Sequence, residues 1–186
     1  MRTFIALDLP EETREQLSDL QGLLRVGRHV PEENLHLTLS FLGEQPLPAL
    51  EALHEVLCDL PPREVVLRLS GLDILGSRQP KLLFIRAERS GPLAALRREV
   101  LTAVRLAGIE LPRTRFRPHV TLARFSRDME ERDAAHLGRF LQTHGDRALP
   151  EVVAEQVTLY QSVLREDGAR YDPLASYPLV PMAGET

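Results

Sequence analysis

Leu35-His36-Leu37-Thr38-Leu39 and Pro118-His119-Val120-Thr121-Leu122 each set a histidine and a threonine two residues apart in an alternating apolar run. Side chains at i and i+2 of a β-strand share a face. Each segment therefore presents an imidazole beside a hydroxyl and turns its leucines and valine toward a core. Two imidazoles titrating near neutrality can serve as acid and base around one substrate atom. Burying two imidazoles and two hydroxyls without partners would cost roughly 1–3 kcal/mol for each group. A cleft open to solvent or substrate supplies those partners. Metal ligation is the other chemistry open to histidine, and the spacing does not favour it. Each motif brings one strong ligand, neither contains a carboxylate, and no HExxH-like run occurs. Asp73, Asp128 and Glu44 have no spacing that would gather them, so no metal or cofactor is expected. His29, His54, His136 and His144 lack a threonine at i+2 and are expected as surface or capping residues.

Charge adds a second theme. The chain has a formal net charge of −4, which argues against a long nucleic-acid tract as partner. Yet Arg113-Thr114-Arg115-Phe116-Arg117 runs directly into the second motif, and Arg124 and Arg127 follow it. If the strand begins by Arg117, that guanidinium shares a face with His119 and Thr121, and Arg115 continues the row. Arg124 falls on the opposite parity unless the strand bends. Such a cluster suits one or two phosphates; the alternative is a strand edge guarded by solvated charges. Phe41 and Phe116 flank the motifs and either could stack on a base. Phe41 shares parity with Leu37 and Leu39, so it is expected to face the core. Tyr160, Ser162 and Tyr171 are placed near the cleft.

The elements that must position these groups repeat. Arg2–Leu9 reads as a strand. Pro10-Glu11-Glu12 opens a helix carrying Leu17, Leu20 and Leu24 at helical spacing until Gly27, and the strand of His36 follows. Leu82–Ala87 reads as a strand. Pro92 to Gly108 gives a helix through Leu93, Leu96, Val100 and Val104, and the strand of His119 follows. After each motif come a helix (Pro46–Leu60; Met129–Gln142) and a strand (Val65–Leu69; Val152–Leu164). Tyr171–Val180 can add a last strand, which its prolines confine to an edge. The expected fold is α+β and bilobal: two pseudo-symmetric β-α-β-α-β halves, with antiparallel sheets facing a central cleft and helices outside. The whole chain, 1–186, forms one domain with pseudo-repeats at about 1–75 and 80–165.

A hydrophobic content of 43% is ordinary for a globular protein. No apolar run approaches a membrane span, and the N-terminus enters a strand with no basic segment and apolar signal core, so no membrane partner is expected. The single cysteine, Cys58, shares a helix face with Leu53, Leu57 and Leu60 and is expected as a buried thiol. One cysteine fits a reducing cytoplasm. A bilobal unit with its own site needs no second copy, so a monomer is expected.

The two motifs resemble the paired HxTx signatures of the 2H phosphoesterases. More closely, the chain resembles the bacterial and archaeal RNA 2′,3′-cyclic phosphodiesterases, historically called 2′-5′ RNA ligases. Asn34–Gly43, Phe116–Arg124, Arg2–Ala6 and Gly168–Tyr171 carry that likeness, which runs from Arg2 to about Leu179. The resemblance implies metal-free hydrolysis of a terminal 2′,3′-cyclic phosphate to a 2′-phosphomonoester, on RNA 3′ ends or cyclic nucleotides. It implies His36 as proton donor, His119 as proton acceptor, and Thr38 and Thr121 as donors to the non-bridging oxygens. Arg117 and Arg124 would help hold the phosphate. From the residues alone the two histidine roles are interchangeable. Two other functions fit the same residues: 2′-5′ ligation of RNA ends, and a nucleotide-binding module without turnover.

Overall fold

The computed structural model describes residues 1–76, 79–166 and 168–180. The chain runs β1 (Arg2–Asp8), α1 (Glu11–Gly22), β2 (Arg28–His29), a 3-10 turn (Glu32–Asn34), β3 (His36–Glu44) and α2 (Leu47–Cys58). It continues with β4 (Val66–Leu67), β5 (Leu69–Leu75), β6 (Leu82–Ala87), α3 (Gly91–Leu106) and β7 (His119–Arg124). Last come α4 (Glu131–His144), β8 (Val152–Val153), β9 (Gln156–Arg165) and β10 (Gly168–Pro178). The class is the expected α+β with antiparallel strands.

The strands join in the order β10-β9-β1-β3-β7-β6-β5, with β2 added on β7 and β4-β8 as a separate ribbon. The third strand of each half is exchanged. β5, from the first half, pairs with β6, and β9, from the second, pairs with β1. β1 is paired on both edges, and its Phe4-Ile5-Ala6-Leu7 run is buried throughout, as a strand covered on both faces must be. β10 lies at the sheet edge, where its prolines belong. The helices bury the leucines their spacing announces: Leu17 and Leu20 in α1, Leu93, Leu96 and Val100 in α3. α1 stops at Gly22, short of Gly27, and Val65–Leu69 is divided between β4 and β5. Val152–Leu164 is likewise divided, between β8 and β9.

Neither histidine strand is regular. In β3, Ile5 pairs with Ser40 and Ala6 with Thr38, so Leu39 is an extra, bulged residue. In β7, Leu83 pairs with Ala123 and Phe84 with Thr121, so Leu122 is the extra one. Each bulge directly follows the motif threonine. Each bulged carbonyl also receives a side chain from a helix. Gln21 Nε2 of α1 donates to Leu122 O at 2.7 Å and to Val30 O at 2.8 Å. Arg97 Nε of α3 donates to Leu39 O at 3.2 Å.

Candidate active site

β3 and β7 meet at one register pair, Leu37 opposite Val120, both fully buried. Antiparallel pairing then sets His36 across from Thr121 and Thr38 across from His119, on the face turned away from the core. All four line one cavity of about 40 Å³, together with Phe41, Arg124 and Tyr171. That volume has room for a phosphoryl group or a few waters but not for a nucleoside. A sugar and base must therefore extend into the wider grooves beside it, of about 450 Å³ and 590 Å³.

Both imidazoles are held alike. His36 Nδ1 lies 2.7 Å from Asn34 O, and His119 Nδ1 lies 2.7 Å from Arg117 O. A carbonyl only accepts, so each Nδ1 carries the hydrogen and each Nε2 is the atom free for proton transfer. Each ring also rests on a phenylalanine of the adjacent strand: His36 on Phe4 at 4.8 Å between centroids, His119 on Phe84 at 4.9 Å. With Nδ1 protonated, neutral His36 accepts at Nε2 from the Thr38 hydroxyl, 2.9 Å away.

The surroundings then diverge. His36 is enclosed by Phe4 and by the edge of Tyr171, 5.4 Å away, with Asp8 opposite it in register on β1. Burial is the main effect, and it lowers the His36 pKa below 6.5. The Asn34 carbonyl and the Asp8 charge oppose that shift, while Arg124 and His119 reinforce it. Asp8 is held by donors from β9, Tyr160 Oη at 2.7 Å and Thr158 Oγ1 at 2.8 Å, with Gln156 Nε2 a third. Burial first, then the bond to Asp8, raises the Tyr160 pKa, so its phenol stays a donor at neutral pH. His119 instead opens onto the larger groove, whose floor includes Leu101, Val104 and Ile109.

The bulges reassign two residues. Three positions beyond each motif threonine, Phe41 and Arg124 return to the cavity face instead of pointing away from it. Phe41 is 70% exposed at the cavity rim, which corrects the expectation that it faces the core. Arg124 joins the site because the strand does bend. Arg117 does not lie on the strand at all: β7 begins at His119. Its carbonyl holds His119 while its exposed side chain, like that of Arg115, lines the outer groove. Phe116 packs under the Arg97 guanidinium, 4.7 Å from the ring centroid. Tyr160 and Tyr171 border His36, and Ser162 lies further out in the neighbouring groove.

Away from the cavity, His29 bonds Leu24 O at 2.9 Å, His54 bonds the Tyr177 hydroxyl at 3.0 Å, and His136 accepts from the Arg25 amide at 3.2 Å. His144 lies against Phe140. Cys58 is exposed, on the solvent flank of α2 beside His54, and is not the buried thiol its leucine neighbours suggest. Among the described residues no three His, Cys, Asp or Glu side chains gather as a metal site. No described helix is long and apolar enough to cross a membrane. Asp8, Asn34, Gln21 and Arg97 are the positioning residues that motif spacing does not reveal.

Two His-x-Thr strands meeting at such a seam are the arrangement expected of a 2H phosphoesterase. The family model described as the 2′-5′ RNA ligase superfamily matches residues 9–161, and the chain belongs to that superfamily. An RNA 2′,3′-cyclic phosphodiesterase of Thermus thermophilus is 40% identical over 139 residues, 67% of this chain and 68% of that protein. One of Geobacillus stearothermophilus is 30% identical over 186 residues; the match takes in 95% of this chain but only 57% of that protein. Among solved structures, TT0787 of Thermus thermophilus superposes with a TM-score of 0.75 at 29% identity, over 96% of this chain and 98% of its own. Escherichia coli LigT in complex with 3′-AMP superposes with a TM-score of 0.73 at 26% identity, over 97% and 98%.

Proposed function

We propose that the protein hydrolyses 2′,3′-cyclic phosphodiester ends, of RNA or of nucleotides, to 2′-phosphomonoesters. The observation that carries this reading is one phosphoryl-sized cavity holding two hydroxyls and two imidazoles, each fixed at Nδ1 by a backbone carbonyl so that Nε2 faces the cavity, that of His36 within reach of the Thr38 hydroxyl. Water attacks phosphorus and gives its proton to His119 Nε2, which lies toward the open groove. The P–O3′ bond breaks as His36 Nε2 delivers a proton to the leaving oxygen. The hydroxyls of Thr38 and Thr121 donate to the non-bridging oxygens as charge builds there. Arg124 adds a positive charge at the rim, with Arg117 further out. Burial makes protonated His36 a stronger acid, and the substrate anion together with Asp8 favours loading it with the proton. Solvent exchange then resets both rings. The reading includes a cytoplasmic protein acting as a monomer, since one chain supplies every group named.

The test is turnover of a nucleoside 2′,3′-cyclic phosphate in excess EDTA, with products resolved by phosphorus NMR. The expected product is the 2′-monophosphate alone. Binding without product would leave a nucleotide-binding module. Activity lost to the chelator and restored by a divalent ion would return the histidines to the role of ligands.

A further inference from the structure

On one side of the catalytic cavity runs a trough between the β2–β7 edge and the adjoining ends of β9 and β10, at Arg165, Gly168 and Ala169. It shares Arg124 and Tyr171 with the cavity and is walled beyond them by Arg28, Arg165 and, at its far end, Arg2. Arg28 and Arg124 are direct cross-strand partners. Like charges placed so oppose each other, and among the described residues neither is paired with a carboxylate. Glu33 is the acid lining this stretch, and Arg170 beside it is engaged by Asp172. The Arg28 guanidinium lies close to Gly168, the first residue of β10, where a Cβ would sit 3.5 Å from it. This row of cations is continuous with the phosphoryl cavity, and among the described residues no carboxylate pairs with Arg28, Arg124 or Arg165.

Resting on the reading above, we infer that the trough is a subsite for a second phosphate, the one on the 5′ carbon of the nucleoside whose cyclic phosphate is cut. Arg28 and Arg165 grip it, with Arg124 shared between the two phosphates. The polynucleotide chain then leaves along the β2 and β9–β10 side, and the opposite groove, floored by Leu101, Val104 and Ile109, is left for the base. That 5′ phosphate occurs either as a terminal monoester or as the diester to the preceding nucleotide, and both would be gripped alike.

Three substrates test this: adenosine 2′,3′-cyclic phosphate, its 5′-phosphorylated form, and the dinucleotide ending in the same cyclic phosphate. The added 5′ phosphate is expected to raise kcat/KM about tenfold or more, as one charge-assisted hydrogen bond can supply. An equal gain for the two longer substrates means the phosphate alone is read. A gain confined to the dinucleotide means the diester is read, still at this subsite if the variants agree. Arg28→Ala and Arg165→Ala should each bring the ratio of longer to shorter substrate back toward one. Each should also flatten the salt dependence of binding, by about 0.7 in log–log slope for the one arginine–phosphate pair it removes. Equal kcat/KM for all three substrates overturns the subsite while leaving the hydrolase reading intact. So does a ratio lowered by Arg115→Ala and not by Arg28→Ala. Failure to cut any of the three overturns the hydrolase reading itself.

Discussion

Gln21 and Arg97 are counterparts: each reaches from a helix of one half to the bulged carbonyl in the histidine strand of the other half. Gln21 holds Leu122 of β7, and Arg97 holds Leu39 of β3. Those two bulges are what turn Arg124 and Phe41 toward the phosphoryl cavity. The halves are thus cross-braced behind the site, each helix fixing the strand geometry its own half does not own.

Gln21→Met keeps the length of the side chain and removes its donor. It removes the side-chain donor from the part-buried carbonyl of Val30 and leaves Leu122 O with only the Val30 amide, 2.9 Å away, a loss of roughly 1–3 kcal/mol in urea unfolding. KM should rise with it, because the bulge that presents Arg124 is no longer pinned. A variant with unchanged stability and unchanged KM would show that the bulge holds itself.

Replacing His36 or His119 by alanine removes one proton transfer and should slow kcat about 10²–10⁴-fold in either case. The double variant should fall far less than the product of the two, since the rings act as a unit. Near-normal rates in either single variant contradict the two-histidine reaction.

Thr38→Val and Thr121→Val keep the branched shape and delete the hydroxyl. Loss of one donor to the developing charge should lower kcat by about 10²–10³-fold with the melting temperature little changed. Unaltered kinetics with a lowered melting temperature would make the threonines structural.

Burial lowers the His36 pKa below 6.5, with the sign that follows. As pH falls through about 6.5 the unfolded chain takes up a proton that the folded protein does not. Stability therefore drops from there down to the folded pKa. His36→Gln should remove that part of the pH dependence, measured by denaturant unfolding on either side of about 6.5. The His36 ring should titrate below 6.5 by NMR; a midpoint above it would contradict the enclosed environment of Phe4 and Tyr171.

Phe41 is an exposed ring at the mouth of the cavity, so Phe41→Ala should shift stability by no more than about 0.5 kcal/mol. If the ring stacks on a base, KM should rise roughly 5- to 150-fold, the range of a stacking loss of about 1–3 kcal/mol. Equal KM values in the two proteins would leave Phe41 without a role in binding.

The paired motifs, the four helices and the edge position of the last strand are legible in the sequence because each rests on local periodicity or on proline. Phe41 and Arg124 escape such reading for one reason: a bulge inserts one residue, and every side chain after it changes face. Nothing in Thr38-Leu39-Ser40 or Thr121-Leu122-Ala123 announces a bulge, since its anchors lie on helices far away in sequence. The exchange of β5 and β9 is equally silent, because pairing partners are chosen by packing across the whole chain. Adjacency groups Cys58 with the leucines, whereas the helix turns it to the outer flank. Asp8 closes an otherwise apolar run and reads as a strand end; only β9, beside it in space, shows it as the acceptor of three donors.

The pairing of β1 with β9 has a consequence for how this chain is made. β1 leaves the ribosome well before β9, yet one of its two edges is covered only when Val157, opposite Leu7, has been synthesised. At ordinary translation speeds that wait is roughly 10–30 s, and for its duration Phe4-Ile5-Ala6-Leu7 is an apolar strand with a bare edge. A nascent chain stalled before β9 is therefore a natural client for a chaperone and a natural seed for aggregation.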